Sequence, residues 1–276
     1  MTDIRDFTKT VRADVLKMIH AAKSGHPGGC LSCVEILSVL YRDIMNVPKE
    51  WEKSPDFACR DRFVLSKGHA SAALYSVLAN LGYFDKKDLL TFRSLGSKFQ
   101  GHPSSKTGLA GIEVSTGSLG QGLSMGVGMA LGMRLDNCPA KVYVMLGDGE
   151  MQEGSVWESL MNAVHQKLNN IVVVIDKNNL QIDGSTQEIK MLDPLDKKLQ
   201  AFGWETVKVN GHCTKALTRA LKKAKNAKKP FAVIANTIKG KGISFMENNA
   251  GWHGKALNNE ELEKALKELG KELSRS

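Results

Sequence analysis

The sequence predicts an α/β fold: a parallel sheet flanked by helices on both faces. Five apolar runs have the length of buried strands, and the segments between them repeat apolar residues at helical spacing. Two consecutive runs also end in turns of glycine, aspartate and asparagine, which places the chemistry at one edge of the sheet.

The runs, in order, are "RFVLS" (62–66), "KVYVMLG" (141–147), "NNIVVVID" (169–176), "WETVKV" (204–209) and "FAVIANT" (231–237). Strands apolar at successive positions are buried on both faces, as parallel sheets require. Between the second and third, Val156, Leu160, Val164 and Leu168 fall on one helical face. Ile4, Phe7, Val11, Val15 and Met18 form a similar face at the N-terminus, where charges throughout exclude a signal peptide. The basic stretch 215–230 has no aromatic residue, so it reads as a solvated helix rather than a nucleic-acid surface. Residues 258–276 read as a capped helix with exposed charge pairs. Residues 1–276 are expected to form one layered domain.

Lysine and arginine number 38 against 29 acidic residues, a net charge of +9. That balance suits nucleic acid, an anionic surface or small phosphorylated ligands, without choosing. No apolar run approaches the roughly 20 residues that cross a bilayer, so a cytoplasmic protein with no membrane contact is expected. Cys30 and Cys33 form one C-x-x-C, while Cys59, Cys138 and Cys213 stand alone. With no second pair to complete a zinc site, all are read as reduced structural thiols.

The second run delivers Gly147-Asp148-Gly149 and the third delivers Asn178-Asn179, with Asn178 thirty residues after Asp148. A strand–helix–strand unit of that span brings both turns to the same sheet edge, where α/β folds bind ligands. An aspartate, an asparagine oxygen and a backbone carbonyl make an oxygen-only set. Mg²⁺ takes such sets, with phosphates completing the shell. The flanking glycines let an anion approach, and amides opening the next helix can bind it. Asp148 is therefore read as facing a metal, and the metal a diphosphate. There is no G-x-x-x-x-G-K-[ST] loop, which excludes an ordinary nucleotide triphosphatase. In the glycine-rich segment, Gly122, Gly126 and Ala130 recur every four residues, as do Gly128 and Gly132. Such stripes admit close packing, either inside the chain or across a subunit interface.

The span from "GDGEMQEG" to "NN" resembles the thiamine-diphosphate motif. Around it, "SGHPGG" (24–29), "LSKGHASAALY" (65–75), "GHP" (101–103), "STGSLGQGLSMGVGMALG" (115–132), "NLQIDG" (179–184) and "TIKGKGISFMENNAGWHG" (237–254) resemble the transketolase N-terminal domain. The resemblance implies a thiamine-diphosphate-binding fold with Asp148, Asn178 and the Leu180 carbonyl on Mg²⁺. It places the Gly149 amide, His69 and His253 near the diphosphate, and Gly117 and Leu119 along the cofactor. His26 and His102 would face the substrate, with His253 joining them in the catalytic group, and Glu153 would join a carboxylate network between subunits.

Breaking a carbon–carbon bond beside a ketone needs an electron sink, which the cofactor supplies. It also needs proton transfer, which an imidazole of unperturbed pKa about 6.5 can perform near neutrality. His165 is read as structural, His20 as a helix-surface residue, and His212 as lying near the rim of the site.

A full-length transketolase continues into a second domain, which supplies the glutamate that polarises the aminopyrimidine, and then a third. The resemblance thus implies the N-terminal subunit of a split transketolase, functional only with a C-terminal subunit carrying those domains, two of each chain. It would transfer a two-carbon ketol unit from a ketose phosphate to an aldose phosphate in the pentose phosphate pathway. The competing enzymes are a 1-deoxyxylulose-5-phosphate synthase and the α chain of a 2-oxo-acid dehydrogenase, and "SGHPGG" with "STGSLGQG" favours transketolase. A relict-fold regulator or nucleic-acid binder would rest on the basic helix alone.

Overall fold

The computed structural model describes residues 3–48 and 57–270. The predicted runs form β1 (Arg62–Leu65), β2 (Val142–Gly147), β3 (Ile171–Lys177), β4 (Glu205–Asn210) and β5 (Phe231–Asn236). They lie in the order β1-β2-β3-β5-β4, and every neighbouring pair is parallel. The helices are α1 (Ile4–Ala22), α2 (Pro27–Ser32), α3 (Val34–Val39), α4 (Ser71–Asn80), α5 (Gln121–Leu135), α6 (Gly154–His165), α7 (Thr186–Lys190), α8 (Leu195–Ala201), α9 (Thr214–Lys225) and α10 (Asn259–Glu268).

Alternate strand residues build two cores. Tyr143, Met145, Val172 and Val174 pack with α1 to α4, α9 and α10. Val144, Leu146, Val173 and Ile175 pack with α5, α6 and α8 on the opposite face. Helices therefore cover both faces, as the doubly apolar strands required. The predicted face of α1 is buried at Phe7, Val11, Val15 and Met18, with Ile4 half-buried against the same core. In α9, Leu217 and Leu221 are buried while Lys222 and Lys223 are exposed, so its positive face is solvated. Asn258 and Glu261 cap α10 reciprocally; residues 271–276 of the predicted tail lie outside the described residues.

The two glycine stripes of α5 part company. A methyl at Gly122 would collide with Ser66, and one at Gly126 with Val144. That stripe is internal packing against β1 and β2. Methyls at Gly128 and Gly132 would meet nothing within 4 Å.

Beneath the sheet edge, Lys67 and Asp176 form a buried ion pair at 2.5 Å. Burial alone would lower the Lys67 ammonium, but Asp176 beside it holds its pKa above the usual lysine range. Lys67 also donates to the Gly29 carbonyl at 2.9 Å, while Asp176 accepts from the Ser32 and Thr237 hydroxyls. The pair thus ties α2 and the ends of β1, β3 and β5 together.

Among the described residues all five cysteines are free. Burial pushes the Cys30 thiol up to about 11 and raises Cys33 as well, the environment of inert thiols. None of the described helices is long and apolar enough to cross a membrane.

Candidate active site

β2 and β3 end side by side, with Gly147 opposite Asp176. Asp148 stitches the two turns together. Its carboxylate accepts from the Gly149 amide at 2.9 Å and from the Asn179 amide at 2.5 Å. Asn178 accepts through Oδ1 from the Leu180 amide at 3.1 Å. Between them Asn179 sits at φ +61°, a left-handed conformation that asparagine tolerates.

These turns frame a cavity of about 250 Å³, lined by Asp148, Gly149, Asn178, Leu180, Leu119, Glu153, His69 and His253 among others. The remaining predicted residues adjoin it. The His26 ring lies 5.3 Å from His69, 5.5 Å from His253 and 6.4 Å from His102. Gly117 packs under His102, where a Cβ would come within 3.3 Å of the ring. Every predicted site residue thus converges on one region. Glu153 stands exposed at the rim.

The three carboxylates after β2 have different surroundings. Glu150 accepts from the Ser66 hydroxyl at 2.5 Å, the Gly120 amide at 2.9 Å and the Gly147 amide at 3.1 Å. It clamps the glycine-rich loop to the strand end and, like Asp148, lines the cavity. Burial, and then Asp176, push the Asp148 carboxyl up to about 6.

Lys239, absent from the sequence-based expectations, is only 2 % exposed. Burial, and then Lys67, pull its ammonium down to about 8. Its Nζ lies 2.8 Å from His253 Nδ1, and among the described residues no carboxylate pairs with it. The cavity therefore holds a buried carboxylate and a buried ammonium that are not partners. A divalent cation would complement the first and a polyanion the second. Among the described residues no three His, Cys, Asp or Glu side chains group as a metal site. The expected set is instead one carboxylate, one amide oxygen and one carbonyl, which suits Mg²⁺ with phosphate oxygens completing its shell. The residues present fit a magnesium-bound diphosphate.

The histidines depart from the near-neutral pKa expected of free imidazole. Burial, then Arg93, lowers His26 to about 4; burial, then Lys239, lowers His253 to about 4. His69 lies well below the usual value, and His102 is lowered too, burial leading in both. All are neutral rings at pH 7 in the chain alone, because desolvation and three nearby cations oppose their protonation.

A base whose folded pKa is depressed binds fewer protons when folded. Its contribution is intact above the unfolded value of about 6.5 and is lost as pH falls toward the folded value. Thermal midpoints of the chain are expected to drop between pH 7 and pH 4.5, by less in His26→Gln and His253→Asn. Identical pH slopes in all three would contradict the shifts.

Of the other histidines, two have structural partners. His212 accepts from the Ile238 amide at 2.8 Å through Nε2 and meets Glu35 at 2.9 Å through Nδ1, which bolts the loop carrying Lys239 to α3. His20 donates to Asn259 at 2.9 Å, linking α1 to α10 rather than simply facing solvent. His165 is exposed. Lys67, Lys239 and Arg93 were missed from sequence; the glycines beside Lys67 and Lys239 were the available signal.

The chain matches the family "Transketolase, thiamine diphosphate binding domain" over residues 4–276. It is 41% identical to one of the subunits of the apulose-4-phosphate transketolase of Phocaeicola vulgatus, over 96% of this chain and 92% of that protein. It is also 41% identical to the 6-deoxy-6-sulfo-D-fructose transketolase subunit SqwG of a Clostridium species, over 98% and 97%. The solved transketolase of Leishmania mexicana superposes with a TM-score of 0.91 at 31% identity, over 100% of this chain and 42% of that one. The Campylobacter jejuni transketolase gives 0.90 at 35%, over 100% and 44%. The chain thus spans about two fifths of these solved transketolases. By this match, and by relatives of its own length at that identity, the chain belongs to the transketolase family as a thiamine diphosphate binding domain.

Proposed function

We propose that this chain is the N-terminal subunit of a two-chain transketolase, transferring a two-carbon ketol unit from a ketose phosphate to an aldose phosphate. The observation that carries the reading is the pair of unmatched buried charges, Asp148 and Lys239, in one cavity bordered by neutral histidines. Relatives of matching length are themselves named transketolase subunits, which supports a partner carrying the pyrimidine-binding and C-terminal domains. Two copies of each chain, residues 1–276 as one cofactor-binding domain, a cytoplasmic location and a place in the pentose phosphate pathway belong to the same reading.

In it, Asp148, Asn178 and the Leu180 carbonyl hold Mg²⁺. The Gly149 amide, His69, His253 and Lys239 hold the diphosphate, and Gly117 and Leu119 line the cofactor. When bound, thiamine diphosphate supplies the electron sink that lets a bond beside a ketone break. His26 and His102 border the space for the sugar and bind its hydroxyls, and His102, the more exposed, exchanges protons with them. Glu153, at the rim, reaches toward a second subunit. An approaching polyanion offsets the field of Lys67 and Lys239 and so raises the histidines toward a useful range.

Ketol transfer is assayed with the chain alone and mixed with its C-terminal partner. Activity is expected in the mixture only. Robust turnover by the isolated chain would remove the two-subunit reading, and none from the mixture with any ketose phosphate would remove the activity. In the mixture, His102→Ala is expected to lower kcat by about 10²-fold while thiamine diphosphate affinity holds.

A further inference from the structure

Arg93 places a cation beside His26 that has no acidic partner among the described residues. It follows the turn Lys86–Thr91 and adopts φ +60°, a left-handed conformation rare for a residue with a β-carbon. Its amide donates to the Phe99 carbonyl at 2.9 Å, which closes a small loop ahead of His102. Nη1 donates to Ser24 Oγ at 3.0 Å, and Nη2 stands 3.5 Å from His26 Nδ1. Nε is buried with no hydrogen-bond partner among the described residues. The guanidinium lies so close to Gly101 that a Cβ there would come within 2.6 Å of its carbon. Glycine precedes His102 because the guanidinium occupies the room a side chain would need.

A guanidinium only donates and does not lose its proton. The ring nitrogen that faces it must offer a lone pair, which puts the proton of neutral His26 on Nε2. Among the described residues, the other charged and titratable groups acting on His26 are the rings of His69, His102 and His253 and the cations Lys67 and Lys239, with no carboxylate among them. With Nδ1 turned to a cation and Nε2 already protonated, the ring has no place to accept a proton. Resting on the reading of this cavity as the sugar site, we propose that Arg93 is a positioning residue that fixes His26 as the neutral Nε2–H tautomer, so that His26 meets the substrate as a hydrogen-bond donor and not as a base.

The tautomer is read directly from two-bond proton–nitrogen correlation spectra of the ¹⁵N-histidine-labelled chain, with His26→Gln assigning the resonance. The wild-type chain is expected to show an unprotonated Nδ1 and a protonated Nε2. Arg93→Gln should give mixed tautomers and a His26 titration midpoint moved up toward 6.5, and Arg93→Lys should retain most of the wild-type pattern. Ser24→Ala keeps the cation and frees its anchor, so it should shift the tautomer in the same direction by less, and it serves if Arg93→Gln does not fold. In the two-chain enzyme Arg93→Gln should lower kcat between about 10- and 100-fold, with most of the loss restored in Arg93→Lys. A protonated Nδ1 in the wild type, or a tautomer unmoved by both substitutions, overturns the proposal. The spectra need neither partner nor turnover. The expected tautomer in a chain inactive with its partner would count against the transketolase reading alone.

Discussion

Asp148→Ala is expected to abolish the magnesium dependence of thiamine diphosphate binding. In the proposed ligand set Asp148 is the one carboxylate, so the substitution removes the only formal negative charge in that set. Weaker perturbations, in groups that merely orient metal ligands, already cost 10- to about 100-fold in affinity. Losing the charged ligand itself should cost about 10²-fold or more by titration calorimetry at saturating Mg²⁺. The free chain should tolerate the change far better. Its ionised carboxylate is disfavoured by burial, and removing it relieves that cost. Against this stand the lost bonds to the Gly149 and Asn179 amides, each worth about 1 kcal/mol. Asp148→Asn keeps an acceptor for one of these amides and separates the effects. An Asp148→Ala chain whose affinity still rises with Mg²⁺ as in the wild type would place the metal elsewhere.

Lys67→Met is expected to cost the fold itself about 3–5 kcal/mol, the penalty for stranding one member of a buried ion pair. Asp176 is fully buried and would keep only its hydroxyl donors from Ser32 and Thr237. Stability of a whole domain is about 5–15 kcal/mol, so a chain at the low end would not fold at all. The double substitution Lys67→Met with Asp176→Leu removes both charges and should recover much of the loss. Urea midpoints of the wild type and the two variants make the comparison. A single variant that loses under about 1 kcal/mol would mean that the pair behaves as a solvated surface bridge.

How much of this was legible in sequence depended on where each signal resides. The central strands were legible because a strand covered on both faces must be apolar at successive positions, as 142–146 and 171–175 are, whereas β4, at the sheet edge, alternates apolar with polar residues and is half-exposed. The short helices α2 and α3 were not, because every residue in them is buried and no polar face marks a period. The turns holding Asp148 and Asn178 were legible because glycine and asparagine punctuate strand ends. The cations around them were not. Lysine and arginine read as surface residues, yet Lys67 and Lys239 are 1% and 2% exposed. Glu150 and Glu153 show the same limit. They lie three residues apart, and only the folded loop makes one an internal clamp and the other an exposed rim residue.

Helix α5 has two unlike sides. On one, glycine is a steric necessity, since Ser66 and Val144 occupy the space a methyl would take. On the other, Gly128 and Gly132 clear a shallow trough that nothing in the described chain fills. An interior glycine weakens a helix by about 1 kcal/mol relative to alanine, so the second side is a handicap that intramolecular packing does not return. Tolerance to substitution along one helix should therefore split by azimuth, forbidding on the inner flank and permissive on the outer for as long as the polypeptide stands by itself.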